Sequence, residues 1–340
     1  MKTYRAVLYV FAVFACVMMV SNASAQDLSK LRGNVVIDGS STVAPISTEA
    51  ASMFSETCPN VSVPVGVSGT GGGFKRFTKG ETDISDASRP IKFKELEQCR
   101  ANGIEFIEIP VAYDGLTIIV SRENDFVETL TIDQLKKIFR ADMQVTKWSE
   151  LNAEWPDEEI QIFAPGTDSG TFDYFKEVMV GKESASIRAD MSVSEDDNLI
   201  VKVVANTKHA IGFLGAAYYF ENEDKLKCVH IVNPETNEAV EPTAETIETG
   251  AYAPFSRPLF IYVNAKSAKR PEVKIFVERY LENAADMAEA VGYVGLPDEI
   301  YETATKHFTD GMTGTHFCTE EGEKKHGPLA ELFTGNELVK

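Results

Sequence analysis

Apolar positions along the chain alternate between two spacings. Short apolar or extended runs at Asn34 to Asp38, Val61 to Val67, Ile104 to Ile109, Ile160 to Ala164, Ala210 to Leu214, Cys228 to Val232 and Pro258 to Val263 read as strands. Between them, apolar residues recur at helical spacing. The sets are Ile46, Ala50, Met53 and Phe54; Leu135, Ile138 and Phe139; Phe172, Phe175 and Met179; Leu199, Val203 and Val204; and, most regular, Val273, Phe276, Val277, Tyr280, Leu281 and Ala284. Lys94 to Arg100 predicts a further helix. Pro45 and Pro271 suit first helical turns. Thr131 to Gln134 and Ser194 to Asp197 match capping boxes. Pro64 places its strand near an edge. Strands alternating with helices predict an α/β fold with mainly parallel sheets. Pro110 to Val120, with Gly115 inside it, reads as a crossing out of a first domain, and Ala251 to Val263 as the return. The predicted organisation is residues 26–114 plus 256–340 as one lobe and 115–255 as the other. After Phe308 the glycines and charges predict a loop-rich tail.

Two crossings leave a cleft, and ligands of such sheets sit beyond strand ends at helix N-termini. The strand-end turns there are rich in small and hydroxylated residues. Pro165-Gly-Thr-Asp-Ser-Gly-Thr171 precedes Phe172, so unpaired helix N–H groups stand beside short hydroxyls at the positive end of a dipole. That is an anion cradle, although the same residues also make ordinary loops. Gly39-Ser-Ser-Thr-Val-Ala-Pro45 repeats the device, with a plain N-cap as the bland alternative. Ser68-Gly-Thr-Gly-Gly-Gly73 allows close backbone approach and fits neither a Walker loop nor a dinucleotide fingerprint; a flexible loop is its alternative. Ala87-Ser-Arg-Pro90 adds Arg89, which can grip an oxyanion through two parallel bonds or pair with Asp86 on the surface.

Charge narrows the partners. A formal net charge of −19 over 340 residues argues against nucleic acid, while backbone dipoles can still hold an anion locally. The first 25 residues carry Lys2 and Arg5, an apolar core from Ala6 to Val20, and Ala23-Ser24-Ala25. They predict a signal peptide cleaved after Ala25, export to the periplasm, and a mature chain from Gln26. A loose lipoprotein-like box ending at Cys16 is the rival. Four cysteines remain, Cys58, Cys99, Cys228 and Cys318, an even number suited to disulfides with three pairings open. Lacking any C-x-x-C and with its five His scattered, the sequence predicts no metal.

In order and rough spacing the four turns resemble those of the periplasmic phosphate-binding proteins of Pst-type ABC transporters, and Ser256-Arg-Pro-Leu-Phe-Ile-Tyr-Val263 looks like the hinge return of one branch of that family. The resemblance implies a two-lobed periplasmic binding protein of type II, a Venus flytrap that closes on one dehydrated inorganic phosphate. It implies a monomer, without cofactor or catalysis, that delivers phosphate to a permease complex. Carried over by position, the ligands would be Ser41 and Thr42; Thr70 and Ser68; Ser88 and Arg89; and Asp168, Ser169, Gly170 and Thr171. Some members carry an Arg where this chain has Pro165, which leaves Arg89 as the expected sole cation. Asp83, Asp86 and Asp168 are the candidates to accept the proton of monohydrogen phosphate. The two-lobe arrangement favours Cys58–Cys99 and Cys228–Cys318 as disulfides. Another tetrahedral oxyanion (sulfate or arsenate), a secreted phosphatase, and a fold that has lost its ligand stay open. No G-x-S-x-G elbow or dense metal motif supports the phosphatase.

Overall fold

The computed structural model describes residues 28–167, 169–181, 184–325, 327–335 and 337–340; the predicted targeting segment and Asp168 lie outside them. The chain opens with β1 (Gly33–Asn34), β2 (Ile37–Gly39), α1 (Ala44–Thr57), β3 (Val61–Ser62), β4 (Val65–Val67), α2 (Gly69–Phe77), β5 (Ile84–Ala87), α3 (Phe93–Asn102) and β6 (Phe106–Ser121). The middle holds β7 (Thr129–Leu130), α4 (Ile132–Phe139), β8 (Gln161–Pro165), α5 (Gly170–Val180), β9 (Ser192–Ser194), α6 (Asp197–Ala205), β10 (Ala210–Gly215), α7 (Ala216–Phe220), β11 (Leu226–Cys228), β12 (His230–Val232), β13 (Ala239–Val240) and α8 (Ala244–Glu248). The chain ends with β14 (Ser256–Asn264), α9 (Pro271–Glu282), α10 (Ala284–Ala290), α11 (Asp298–Asp310) and α12 (Leu329–Phe333).

The main sheet runs β4-β2-β5-β14-β6-β10-β8-β9, with β11 also on β6. Its flanks are parallel, as the alternation of strands and helices predicts. Its centre is antiparallel, because the chain leaves along β6 and returns along β14. All 16 residues of β6 are buried. From Phe106 to Gly115 it pairs with β14, and from Leu116 to Val120 with β10. Pro110 lies inside β6, where a proline removes a ladder bond; the register slips there, between Leu259 and Phe260 of β14. The result is a two-lobed α/β fold on a curled mixed sheet. No helix among the described residues is long and apolar enough to cross a membrane.

Three sequence expectations need correction. Met53 and Leu199 are 40% and 48% exposed. In α1 the buried stripe is Ile46, Ala50 and Phe54, and Met53 falls beside it. The N-cap of α6 is Asp196, whose side chain accepts from Asn198 N–H, so the buried face is Ile200, Val201 and Val204. The glycine-rich run is the start of helix α2, not a loop: a Cβ on Gly73 would stand 2.6 Å from Gly39 Cα, so glycine lets the helix lie against β2. The tail is loop-rich as expected and is tied to the sheet, where buried Glu108 of β6, which also accepts from Tyr262 Oη of β14 (2.8 Å), accepts from Thr315 Oγ1 (2.7 Å) and His316 N–H (3.0 Å).

The disulfides are the third correction. Cys58, Cys99, Cys228 and Cys318 are free and buried. Cys58 ends α1, which packs on α9 and α10, whereas Cys99 lies in α3 beside Ile104 and the chain's C-terminus. Cys228 pairs with Ile119 on β6, while the tail before Cys318 is anchored on Glu108. Those anchors are roughly 35 Å apart along one strand, and a disulfide tolerates about 7 Å between Cα atoms.

Candidate ligand-binding cleft

Each cleft turn is shaped by a backbone constraint. Gly39 ends β2 at φ +151°, and a Cβ there would meet Asp86 carbonyl at 2.1 Å. Ser40 N–H then donates to that carbonyl (3.0 Å), and Ser40 Oγ accepts from Thr42 N–H (3.2 Å), which sets Ser41 and Thr42 at the mouth of α1. From the next turn, Thr70 in the first turn of α2 joins Ser88 after β5: their hydroxyls are 3.0 Å apart, and Thr70 Oγ1 accepts from Ser88 N–H at 3.1 Å. Across the cleft, Ser169 caps α5 by accepting from Thr171 N–H (3.2 Å). A Cβ on Gly170 would lie 3.2 Å from Thr42 Cα, so the N-termini of α1 and α5 approach each other at this glycine.

Ser40, Ser41, Thr42, Thr70, Gly71 and Ser88 line one cavity of about 370 Å³. Its charged walls are Arg89, Lys92, Arg257, Asp173 and Glu177. Arg89 forms a bidentate pair with Glu95 (2.9 and 2.8 Å) and lies 5.3 Å from the centre of the Phe74 ring. Ser41 Oγ donates to Asp173 Oδ2 at 3.3 Å, across the cleft.

Arg257 is the most constrained group. It faces Asp114 in register across β14 and β6. Its Nε donates to Asp114 Oδ2 (3.1 Å), one terminal nitrogen to Glu177 Oε2 (2.9 Å) and the other to Thr42 Oγ1 (3.2 Å). The guanidinium lies 3.6 Å over the ring of Tyr174, whose hydroxyl donates to Pro254 carbonyl. Asp114 is fully buried and Arg257 nearly so (side chain 14% exposed), whereas Glu177 is 67% exposed. Burial pushes the Asp114 carboxyl up and the guanidinium opposes it; burial lowers Arg257, while Asp114, Tyr174 and Glu177 together raise it above its ordinary value.

The structure therefore brings Ser41, Thr42, Thr70, Ser88 and Arg89 to one cavity and sets Gly170 against it. Ser68 is exposed at the N-cap of α2, outside the lining. Arg89 is not the cleft's sole cation, and its partner is Glu95 rather than Asp86. Neither described acceptor candidate faces the cavity. Asp83 holds Val36 N–H, Ser267 Oγ and Arg270 at the N-terminal end of β5. Asp86 points into the core, taking Ser47 Oγ at 3.0 Å. The sequence reading missed Arg257 and Asp114, though a signal was present: Arg257 is a lone charge within an apolar strand run, and Asp114 is one of only two charges, with Glu108, in the 16 residues of β6. Asp173 and Glu177 give a weaker signal, being acids one helical turn apart on the exposed side of α5.

A PBP superfamily domain model matches residues 24–293. The chain is similar to the SphX protein of Synechococcus elongatus, 46% identical over 295 residues that cover 86% of each chain. It is similar to the phosphate-binding protein PstS of Staphylococcus haemolyticus, 41% identical over 277 residues covering 81% of this chain and 85% of that one. Among solved structures it resembles "a possible phosphate binding protein" from Planctomyces limnophilus, at 46% identity and a TM-score of 0.80, covering 83% of this chain and 99% of that one. The chain belongs to the PBP superfamily, among the relatives of PstS and SphX.

Proposed function

We propose that this protein binds inorganic phosphate in the cleft between its lobes and hands it to an ABC transporter permease. The observation that carries this reading is the meeting of hydroxyls and two guanidinium groups from four separate chain segments at one cavity. Such a site replaces the hydration shell of a tetrahedral oxyanion with fixed donors. Both guanidinium groups already have carboxylate partners, Glu95 for Arg89 and Asp114 with Glu177 for Arg257. The exposed Glu177 carboxylate is the one Arg257 partner free to swing into water. We assign it as the group the ligand displaces, leaving buried Asp114 and the Tyr174 face to hold the guanidinium in place. Asp173, bonded to Ser41, is our assignment for the acceptor of the monohydrogen phosphate proton, in place of Asp83 and Asp86. Sulfate has no proton to offer there at neutral pH, so a carboxylate at this position repels it.

The reading extends to the rest of the chain. The lobes are residues 26–114 plus 256–340 and residues 115–255, supported by the exchange of β14 for β10 beside β6 at Gly115 and Leu116. The mature protein starts at Gln26 and works in the periplasm as a monomer without catalytic activity. Isothermal titration tests the binding. Phosphate binding one per chain and prevailing over sulfate by about a hundredfold or more supports it. No heat with phosphate, or equal affinity for sulfate, refutes it.

A further inference from the structure

Away from the cleft, three side chains of different chemistry converge on the edge of the small sheet formed by β7, β12 and β13. Cys228 closes β11 and His230 opens β12. In extended chain, residues two apart project to the same side, and Val229 between them is fully buried on the other. The antiparallel register pairs Ile231 with Val240 and Val232 with Ala239. One step further along, it sets Glu241 opposite His230. Register and alternation together bring a thiol, an imidazole and a carboxylate to one point, with one ligand atom from each lying within 4.8 Å of the others. Cys228 Sγ and Glu241 Oε1 are already 4.0 Å apart.

We propose that Cys228, His230 and Glu241 form a zinc site on this sheet edge, independent of the phosphate cleft. Tetrahedral zinc with Zn–S of about 2.3 Å and Zn–N or Zn–O of about 2.0–2.2 Å holds its ligand atoms roughly 3.3–3.8 Å apart. The observed group needs to contract by about an ångström. Glu241 is exposed and can make that movement, while Cys228 is fixed by its ladder to Ile119. Mixed sulfur, nitrogen and oxygen donors select a borderline cation: thiolate disfavours calcium and magnesium, and carboxylate disfavours copper(I). The metal replaces the thiol proton, which passes to the buffer, and the fourth position is left for water. Bound there, zinc cross-links β11, β12 and the segment that follows β13.

The test is titration of the metal-stripped full chain with cobalt(II), followed by zinc. The expected result is one equivalent of cobalt giving a thiolate-to-cobalt charge-transfer band, which zinc abolishes, together with a higher melting temperature in zinc. Cys228→Ser and His230→Asn should lose the band. Glu241→Gln, at an exposed position that leaves folding undisturbed, should weaken zinc binding about tenfold or more, with phosphate affinity unchanged. A wild-type chain without the band overturns the proposal, as does a band that survives in Cys228→Ser or zinc affinity untouched in Glu241→Gln.

Discussion

Replacing Arg257 by Ala separates what the cleft does for binding from what it does for folding. The guanidinium is nearly buried against a fully buried Asp114. Removing one partner of such a pair leaves an uncompensated charge, at a cost of about 3–5 kcal/mol. In a domain of this size each kcal/mol shifts the melting temperature by roughly 2–4 °C, so Arg257→Ala should melt about 10 °C lower. Asp114→Asn in the same chain removes the stranded charge and should recover most of that loss. It does nothing for the ligand. A charge-assisted hydrogen bond contributes about 1.5–3 kcal/mol, which predicts phosphate affinity reduced by about tenfold to a hundredfold in both the single and the double variant. Calorimetric titration of wild type, Arg257→Ala and Arg257→Ala/Asp114→Asn, each beside its melting curve, provides the comparison. If the double variant binds phosphate as tightly as wild type, Arg257 is only a strut between strands and the ligand lies elsewhere.

Three further outcomes are expected. Asp173→Asn should lose preference for phosphate over sulfate by more than it loses phosphate affinity, measured by competition titration; unchanged discrimination would remove Asp173 as proton acceptor. Burial pushes the Asp86 carboxyl up to about 7, with Ser47 opposing and Asp38 adding to the rise; the native state then holds the proton more tightly than the unfolded chain, and stability falls as pH rises from about 4 to about 7, by at most ~4 kcal/mol. Asp86→Asn should therefore melt higher than wild type at pH 8 and close to it at pH 5, and parallel pH profiles would contradict this. With all four cysteines free and buried, alkylation of the exported protein in denaturant without reductant should label Cys58, Cys99, Cys228 and Cys318, whereas a protected pair would restore the disulfide reading.

The sequence carried the strand-turn-helix units well, because their signals are local. Pro45 and Pro271 do start helices, the Thr131 capping box is present, and Gly39 and Gly73 stand where backbone contact excludes any side chain. The turns that converge on the cavity were legible for the same reason. What was not legible depends on pairing across distance. Arg257 becomes a cleft residue only because β14 lies antiparallel to β6 and puts it opposite Asp114. Asp86 looked like a ligand in a polar stretch, yet strand alternation turns it toward Ser47 and the core. The cysteines were counted correctly, but parity says nothing about separation, and β6 holds Cys228 and the segment before Cys318 toward opposite ends.

The unbroken strand from Phe106 to Ser121 also has a mechanical meaning. A backbone cannot stretch, so any swing of one lobe against the other has to be absorbed as twist where β6 changes neighbours, between Gly115 and Leu116. Points on a rotation axis stay still while points far from it sweep. On the lobe boundaries proposed above, Asp114 and Arg257 would sit beside that axis, with the hydroxyls of Ser41 and Thr42 on one moving arm and the helix start at Ser169 on the other. The positive charge would then be presented in the same place whether the arms are apart or together. An arriving anion can settle on this fixed point before the arms come in around it. Capture then depends on the pivot and retention on the arms, so substitutions at Arg257 should register in the association rate and substitutions at Ser41 or Ser169 in the dissociation rate.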